Sequence, residues 1–61
     1  MATYLFLLHK LEVILTKFEH DLSDDSMALE VAGVAARHAD VDVWQGARLV
    51  ACVSEGDTHL L

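Results

Sequence analysis

The sequence has no proline, a single cysteine and only four lysine and arginine residues. One cysteine excludes an internal disulfide, so the 61-residue chain must be stabilised in another way. A domain this short buries only roughly 60% of the surface that its unfolded chain exposes. Small domains without disulfides or metals are commonly stabilised by oligomerisation. These absences favour self-association, most simply with a second copy of the chain.

Basic residues are scarce and scattered along the chain. Ten acidic residues against four basic ones give a formal net charge of −6. Nucleic-acid-binding proteins cluster their lysines and arginines against phosphates, whereas the four here stand singly. We therefore predict that the protein binds neither nucleic acid nor an anionic membrane. The acidic balance is compatible with a basic protein partner.

Long hydrophobic runs are also missing. The apolar run at residues 5–8 has no basic residue before it. A signal peptide needs about 7–15 apolar residues after a basic start, and a spanning helix needs about 20. The 54% apolar composition argues against intrinsic disorder, and a lone cysteine suits a reducing compartment. We expect a cytoplasmic protein.

Residues 3–20 admit two structures. As a hairpin, apolar residues alternate from Tyr4 to Leu8, and the run at 13–18 is rich in β-branched and aromatic residues. As a helix, apolar residues spaced three and four apart form one stripe from Tyr4 to Leu22. The helix lacks an N-cap, whereas the hairpin lacks a glycine or asparagine at its turn. We favour the hairpin.

Residues 23–38 predict a helix. Ser23 is the expected N-cap, and the two aspartates after it place negative charge in the first turn. Leu22 and Met27 are spaced as a hydrophobic staple. Gly33 has two interpretations: a tolerated loss of about 1 kcal/mol, or a close approach of the helix to a sheet.

Residues 40–53 predict a second hairpin with its turn at Gly46. A bulged turn places Val43 opposite Ala47 and Asp42 opposite Arg48. The same register collects apolar side chains on one face, namely Val41, Val43, Leu49, Ala51 and Val53.

Two hairpins around one helix predict an α+β domain of ββαββ order. Its four strands form one mostly antiparallel sheet, and the helix, at about residues 23–38, covers one face. The domain spans residues 1–53, and residues 54–61 are expected to form a flexible tail.

Three segments carry a resemblance to a known group of proteins: Thr3-Tyr4, Ser23-Asp24-Asp25 before Ala28-Leu29, and the Val-Trp-Gln-Gly-Ala-Arg turn within the stretch from Val41 to Ala51. Together they make residues 3–53 similar to very short bacterial proteins that have no assigned activity. Those proteins often carry a glycine in the first hairpin turn, where this chain has Glu12. The resemblance implies the ββαββ fold and no activity.

Candidate chemical sites are few. None of the histidines has metal-ligand spacing, and there is no CxxC motif; they are His9, His20, His38 and His59. The acidic residues at 19–30 lack the alternating ligands and central glycine of a calcium loop. No base or cation stands near Cys52 in sequence to activate it as a nucleophile. We expect no metal, no cofactor and no catalysis.

Trp44 and Arg48 flank the second turn and are the most distinctive pair of side chains. They are positioned to stack as a cation–π contact. One interpretation is a recognition site, because tryptophan and arginine are enriched in binding hot spots. The other, which we favour, is that the pair stabilises the hairpin.

The first hairpin is predicted to be apolar on both faces, whereas one helix can cover only one. The uncovered face is expected to carry Leu5, Leu7, Ile14 and Phe18. An apolar face left in water is unusual for a soluble monomer, so we expect a second copy to cover it through a two-fold interface.

The sequence therefore predicts a non-catalytic, homodimeric structural or interaction protein. The alternative is an acidic regulator that binds a basic protein partner. Small sheet-and-helix antitoxins resemble this chain in their Asp-rich helix start, and they motivate that alternative.

Overall fold

The computed structural model describes residues 2–56. Its elements are β1 (Ala2–Lys10), β2 (Val13–Leu22), α1 (Asp25–Ala35), β3 (Asp40–Gln45) and β4 (Arg48–Val53). The strands form one antiparallel sheet in the order β2-β1-β3-β4, and α1 packs on one face. The predicted ββαββ α+β fold is confirmed, and the helical alternative for residues 3–20 is wrong.

The β1–β2 hairpin closes through a two-residue turn at Leu11 and Glu12. Both residues are left-handed, with φ of 51° and 69°, as a type I′ hairpin turn requires. That conformation costs a residue with a side chain roughly 1–2 kcal/mol. The strain is tolerated because a nine-pair ladder holds the two strands together beyond the turn.

A bulge in β2 decides which side chains share a face of this hairpin. Leu8 lies opposite Thr16 but His9 lies opposite Ile14, so Leu15 is an extra residue in β2. We call the face that α1 covers the helix face and the opposite one the outer face. Because the bulge reverses the alternation, Ile14 lies on the outer face while Thr16 lies on the helix face.

Helix α1 is shorter than the predicted span of 23–38. Its N-cap is Asp24 rather than Ser23: Asp24 is extended, and its Oδ1 accepts a hydrogen bond from Met27 N at 3.0 Å. The shift by one residue moves Met27 out of the staple position, where it is exposed. A Cβ on Gly33 would meet nothing within 4 Å, so the close-approach interpretation of this glycine is also wrong.

The second hairpin has a tighter turn than predicted. Gly46 (φ 61°) and Ala47 form the loop, so Gln45 pairs with Arg48. The predicted pairing of Val43 with Ala47 is wrong because Val43 lies opposite Ala51. A bulge at Val50 then places Leu49 opposite Trp44, on the outer face rather than with the other predicted apolar residues.

The core lies between α1 and the two central strands. The sheet contributes Tyr4, Phe6, Val41 and Val43, all at most 2% exposed. The fully buried residues of the helix and its C-cap are alanines, Ala28, Ala32 and Ala36, and Val31 packs against them partly buried. Small helix residues let the two layers approach closely, so the core is compact but contains few large side chains.

The chain remains attached to the domain beyond the boundary predicted at residue 53. Glu55 N donates to Asp40 Oδ1 at 2.7 Å, and Gly56 N donates to Ala36 O at 2.9 Å. The rest of the predicted tail, residues 57–61, lies outside the described residues. Within residues 2–56, no helix has the length and apolar character needed to cross a membrane.

Candidate functional site

The outer face carries a short apolar row across three strands. Leu5 of β1 lies opposite Trp44 of β3, and Trp44 lies opposite Leu49 of β4. Leu7 is next to Leu5 on the same face, and Leu5, Leu7 and Trp44 are half-buried by their neighbours. Two residues of the predicted self-association face, Leu5 and Leu7, therefore lie where they were expected.

Phe18, the last member of the predicted self-association face, lies elsewhere. It pairs with Phe6 on the helix face, and the two rings stack with centroids 5.0 Å apart and planes 11° apart. Ile14 and Phe18 would share a face in a regular strand, but the bulge at Leu15 separates them. Phe18 is thus a correction to the sequence prediction, whereas Ile14 does lie on the outer face.

Charged residues replace Phe18 on the outer face of β2. Lys17 lies opposite Leu7, and Glu19 lies opposite Leu5. Both are exposed, and neither side chain forms an ion pair or hydrogen bond with another of residues 2–56. The outer face is therefore apolar in its centre and charged along β2.

Strand β2 is an edge of the sheet and the most exposed element of the domain. Only Phe18 and Leu22 among its ten residues are partly buried. At its start, the turn residue Leu11 and the strand residues Val13, Ile14 and Leu15 form an apolar tip, with exposures of 87%, 59%, 61% and 56%. An edge strand also presents unpaired backbone groups, so β2 combines unused hydrogen-bonding groups with apolar surface.

The structure does not bring Trp44 and Arg48 together. Because Gln45 pairs with Arg48, the Arg48 side chain lies on the helix face, opposite to that of Trp44. Its guanidinium donates to both carboxylate oxygens of Asp25, at 3.1 and 3.2 Å. Sequence reasoning missed this pair because Asp25 and Arg48 are 23 positions apart.

A polar network surrounds Asp25 at the start of α1. Tyr4 Oη donates to Asp25 Oδ1 at 2.7 Å, and Arg48 also contacts Gln45. The hydrogen bonds from Arg48, and then from Tyr4, hold the pKa of Asp25 below its usual value. The hydrogen bond to Asp25 raises the pKa of Tyr4. The network links α1 to β1 and β4, and its groups are already paired with one another, which is typical of a structural role.

His9, Asp42 and Cys52 are neighbours on the outer face, but not in a catalytic order. His9 Nε2 lies 3.2 Å from Asp42 Oδ1, and Asp42 pairs across the sheet with Cys52. Asp42 thus lies between the imidazole and the thiol, whereas a nucleophile needs the base next to it. Partial desolvation, and then the Asp42 carboxylate, raise the pKa of Cys52, which lowers the thiolate fraction.

The remaining histidines are dispersed. His20 lies opposite Tyr4, and its ring contacts Phe18 edge-on at a centroid distance of 5.3 Å. His38 follows the helix and is exposed, and His59 lies outside the described residues. Within residues 2–56, no three His, Cys, Asp or Glu side chains come close enough together to hold a metal ion.

Comparisons with protein-family models, curated proteins and solved structures find no match to this chain. The resemblance to short bacterial proteins remains a prediction, so any function has to be argued from the surface geometry described above.

Proposed function

We propose that this chain is a small, non-catalytic interaction protein that acts as a homodimer through its β2 edge. One observation carries the proposal: a ten-residue edge strand, Val13–Leu22, is exposed over nearly its whole length. Long exposed edge strands pair readily with other chains, and proteins that stay monomeric usually shorten, charge or cover them. Here the edge begins with an exposed apolar tip, and because its charged residues Lys17 and Glu19 are of opposite sign, they can attract a second copy of the strand instead of repelling it.

The size of the domain supports the same proposal. The chain has one cysteine, and the fully buried residues of its helix are alanines, so the isolated chain buries few large side chains. Pairing two β2 strands adds backbone hydrogen bonds and buries apolar surface of the tip. The added hydrogen bonds and the buried apolar surface both stabilise the folded dimer relative to the monomer.

The outer face is the weaker candidate for the interface. Its apolar row is flanked by Lys17 and Glu19 of β2 and by Asp42 of β3. Packing two outer faces together would remove these charges from water, which is unfavourable unless each finds a partner. Edge pairing leaves all of them in solvent.

Non-catalytic action is supported by the order of His9, Asp42 and Cys52 and by the raised pKa of the thiol. The proposal also places the protein in the cytoplasm, because a lone cysteine suits a reducing compartment.

Light scattering over a range of protein concentrations tests the proposal. We expect a mass near twice the 6.7 kDa of the chain at micromolar concentration. Ile14→Lys should shift the equilibrium toward monomer, because it places a charge in the apolar tip of the edge strand. Val34→Lys is the matched control, since Val34 on α1 is 63% exposed against 61% for Ile14. A folded 6.7 kDa monomer at every concentration would refute the proposal.

The net charge of −6 favours a second candidate, an acidic regulator that binds a basic protein. In that case the purified chain would form a salt-sensitive complex with a basic partner and would not self-associate. A homodimer that excludes such a partner would contradict this alternative.

A further inference from the structure

We propose that two copies join β2 to β2, antiparallel, about a two-fold axis at Phe18. The result is one continuous eight-stranded sheet with both helices on the same face. This inference deepens the homodimer proposed above and depends on it. It specifies which residues of the two β2 strands lie opposite each other, which the exposure of the edge strand alone does not determine.

Symmetry restricts the possible registers. An antiparallel edge pair with two-fold symmetry has its axis perpendicular to the sheet, so each copy keeps its helix on the same side. Paired residues must also point to the same face. One residue of β2 therefore lies opposite itself, and its neighbours lie opposite each other.

The charged side chains of β2 then indicate which residue lies on the two-fold axis. With Phe18 on the axis, Lys17 of each copy lies opposite Glu19 of the other, and the pair occurs twice. Directly opposed charges of opposite sign stabilise a sheet, whereas like charges destabilise it. The side chains of Lys17 and Glu19 are exposed and have no charged or hydrogen-bonding partner among residues 2–56, so both can pair with a second copy.

The neighbouring registers are less favourable. An axis at Lys17 opposes two lysines, and an axis at His20 places Glu19 opposite Asp21. An axis at Glu19 opposes two glutamates, and although it also places Lys17 opposite Asp21, the Asp21 carboxylate already accepts a hydrogen bond from Thr3 Oγ1 at 2.6 Å within its own copy. An axis at Thr16 moves the centre of the pairing next to the bulge at Leu15, where the strand is irregular.

The helix face is compatible with the Phe18 register. Phe18 already stacks on Phe6 within one copy, and the axis places the two Phe18 side chains side by side. Cross-strand aromatic pairs of this kind stabilise sheets. In this register the apolar tip lies beside the Leu22 end of the second β2 strand, and the bulge at Leu15 ends the regular pairing before Ile14, which is on the outer face.

Charge reversal tests the register. Lys17→Glu and Glu19→Lys should each weaken self-association about tenfold or more at low ionic strength, because two attractive pairs become two repulsive ones. Mixing the two variants should restore association as a heterodimer, since each copy then supplies the complementary charge. The double variant, with the composition and net charge of the natural chain, should dimerise like it. Sedimentation measures the dissociation constants, and circular dichroism confirms that every variant is folded.

Asp21→Lys is the matched control. In the proposed register Asp21 lies opposite Leu15, so Asp21→Lys alone should dimerise like the natural chain, and its mixture with Lys17→Glu should form heterodimer only as strongly as a mixture of the natural chain with Lys17→Glu. Stronger heterodimer formation by Asp21→Lys, together with a weakened Asp21→Lys homodimer, would place the axis at Glu19 and overturn the inference.

The outcomes separate the two proposals. A natural chain that dimerises, but whose association is unchanged by either single reversal, overturns the register and leaves the homodimer intact. A series of species larger than the dimer indicates head-to-tail pairing of β2 with β4, because such contacts do not close; this also overturns the register. A natural chain that is monomeric throughout overturns both.

Discussion

Replacing Gly33 with alanine should stabilise the protein. Gly33 lies within α1, which ends two residues later at Ala35, and a Cβ added there meets nothing within 4 Å. Glycine in a helix is less favourable than alanine by roughly 0.5–1 kcal/mol, chiefly because it has more backbone freedom to lose on folding. The substitution removes that penalty without a clash.

The expected shift in Tm follows from the size of the chain. The unfolding entropy is about 2.1 cal/mol/K per residue near 60 °C, or about 0.13 kcal/mol/K for 61 residues. A gain of roughly 0.5–1 kcal/mol therefore raises Tm by about 4–8 °C. Thermal unfolding followed by circular dichroism measures it. Both proteins must be compared at one concentration, because self-association makes Tm concentration-dependent.

Gly46→Ala is the control for this substitution. Its Cβ would also meet nothing within 4 Å, but its φ is 61°. A left-handed conformation costs alanine roughly 1–2 kcal/mol, so Tm should fall. A Tm for Gly33→Ala that is unchanged or lowered would contradict this prediction and would indicate that another surface fills the space beside Gly33. That result would also contradict a dimer formed only through β2.

Three further substitutions test local features of the structure. Asp25→Asn should lower Tm near neutral pH, because it weakens the polar network at the start of α1. The pKa of Asp25 lies below its ordinary value of 3.8, so the carboxylate stabilises the fold above that value and loses this effect as the pH falls through its lowered pKa. Below that pKa, the Tm difference between Asp25→Asn and the natural chain should disappear. A difference that persists in strong acid would contradict the stabilising role of the Asp25 carboxylate. The double variant Leu11→Asn, Glu12→Gly should raise the free energy of unfolding by about 1 kcal/mol or more, because asparagine and glycine tolerate the left-handed turn. Chemical denaturation measures the change, and a lowered free energy of unfolding would argue against that turn. Asp42→Asn should speed alkylation of Cys52 at mildly alkaline pH, because it removes a negative charge that raises the thiol pKa; an unchanged rate would show that the carboxylate does not act on the thiol.

The local signals in the sequence predicted the elements well. Alternating apolar residues predicted the strands, and the aspartates before residue 26 predicted where the helix begins to within two residues. The predicted N-cap was wrong by one position, because Ser23 and Asp24 are both good N-cap residues. Which of the two caps the helix depends on the path of the chain between the end of β2 and α1. Strands and caps depend on near neighbours along the chain, so a single sequence contains most of the information.

The faces of the strands were predicted less well. Phe18 and Leu49 were both assigned to the wrong face, and in each case a bulge, at Leu15 or Val50, lies nearby. One extra residue in a ladder reverses the alternation on one side of it. The bulges arise from the pairing between strands. Neither extra residue is a glycine, so the sequence gives no local signal of a bulge at either position.

The ββαββ order, the acidic charge balance and the absence of an internal disulfide could all be read from the amino-acid sequence, because strand alternation, helix caps, charge and cysteine count are properties of short segments or of composition. Which residues are exposed together depended on the three-dimensional arrangement of the strands. Arg48 pairs with Asp25 instead of Trp44, Phe18 stacks on Phe6, and β2 lies at the edge of the sheet, where the Lys17 and Glu19 side chains have no partner among residues 2–56. These outcomes depend on strand order and register, which arise from contacts between residues far apart in the chain.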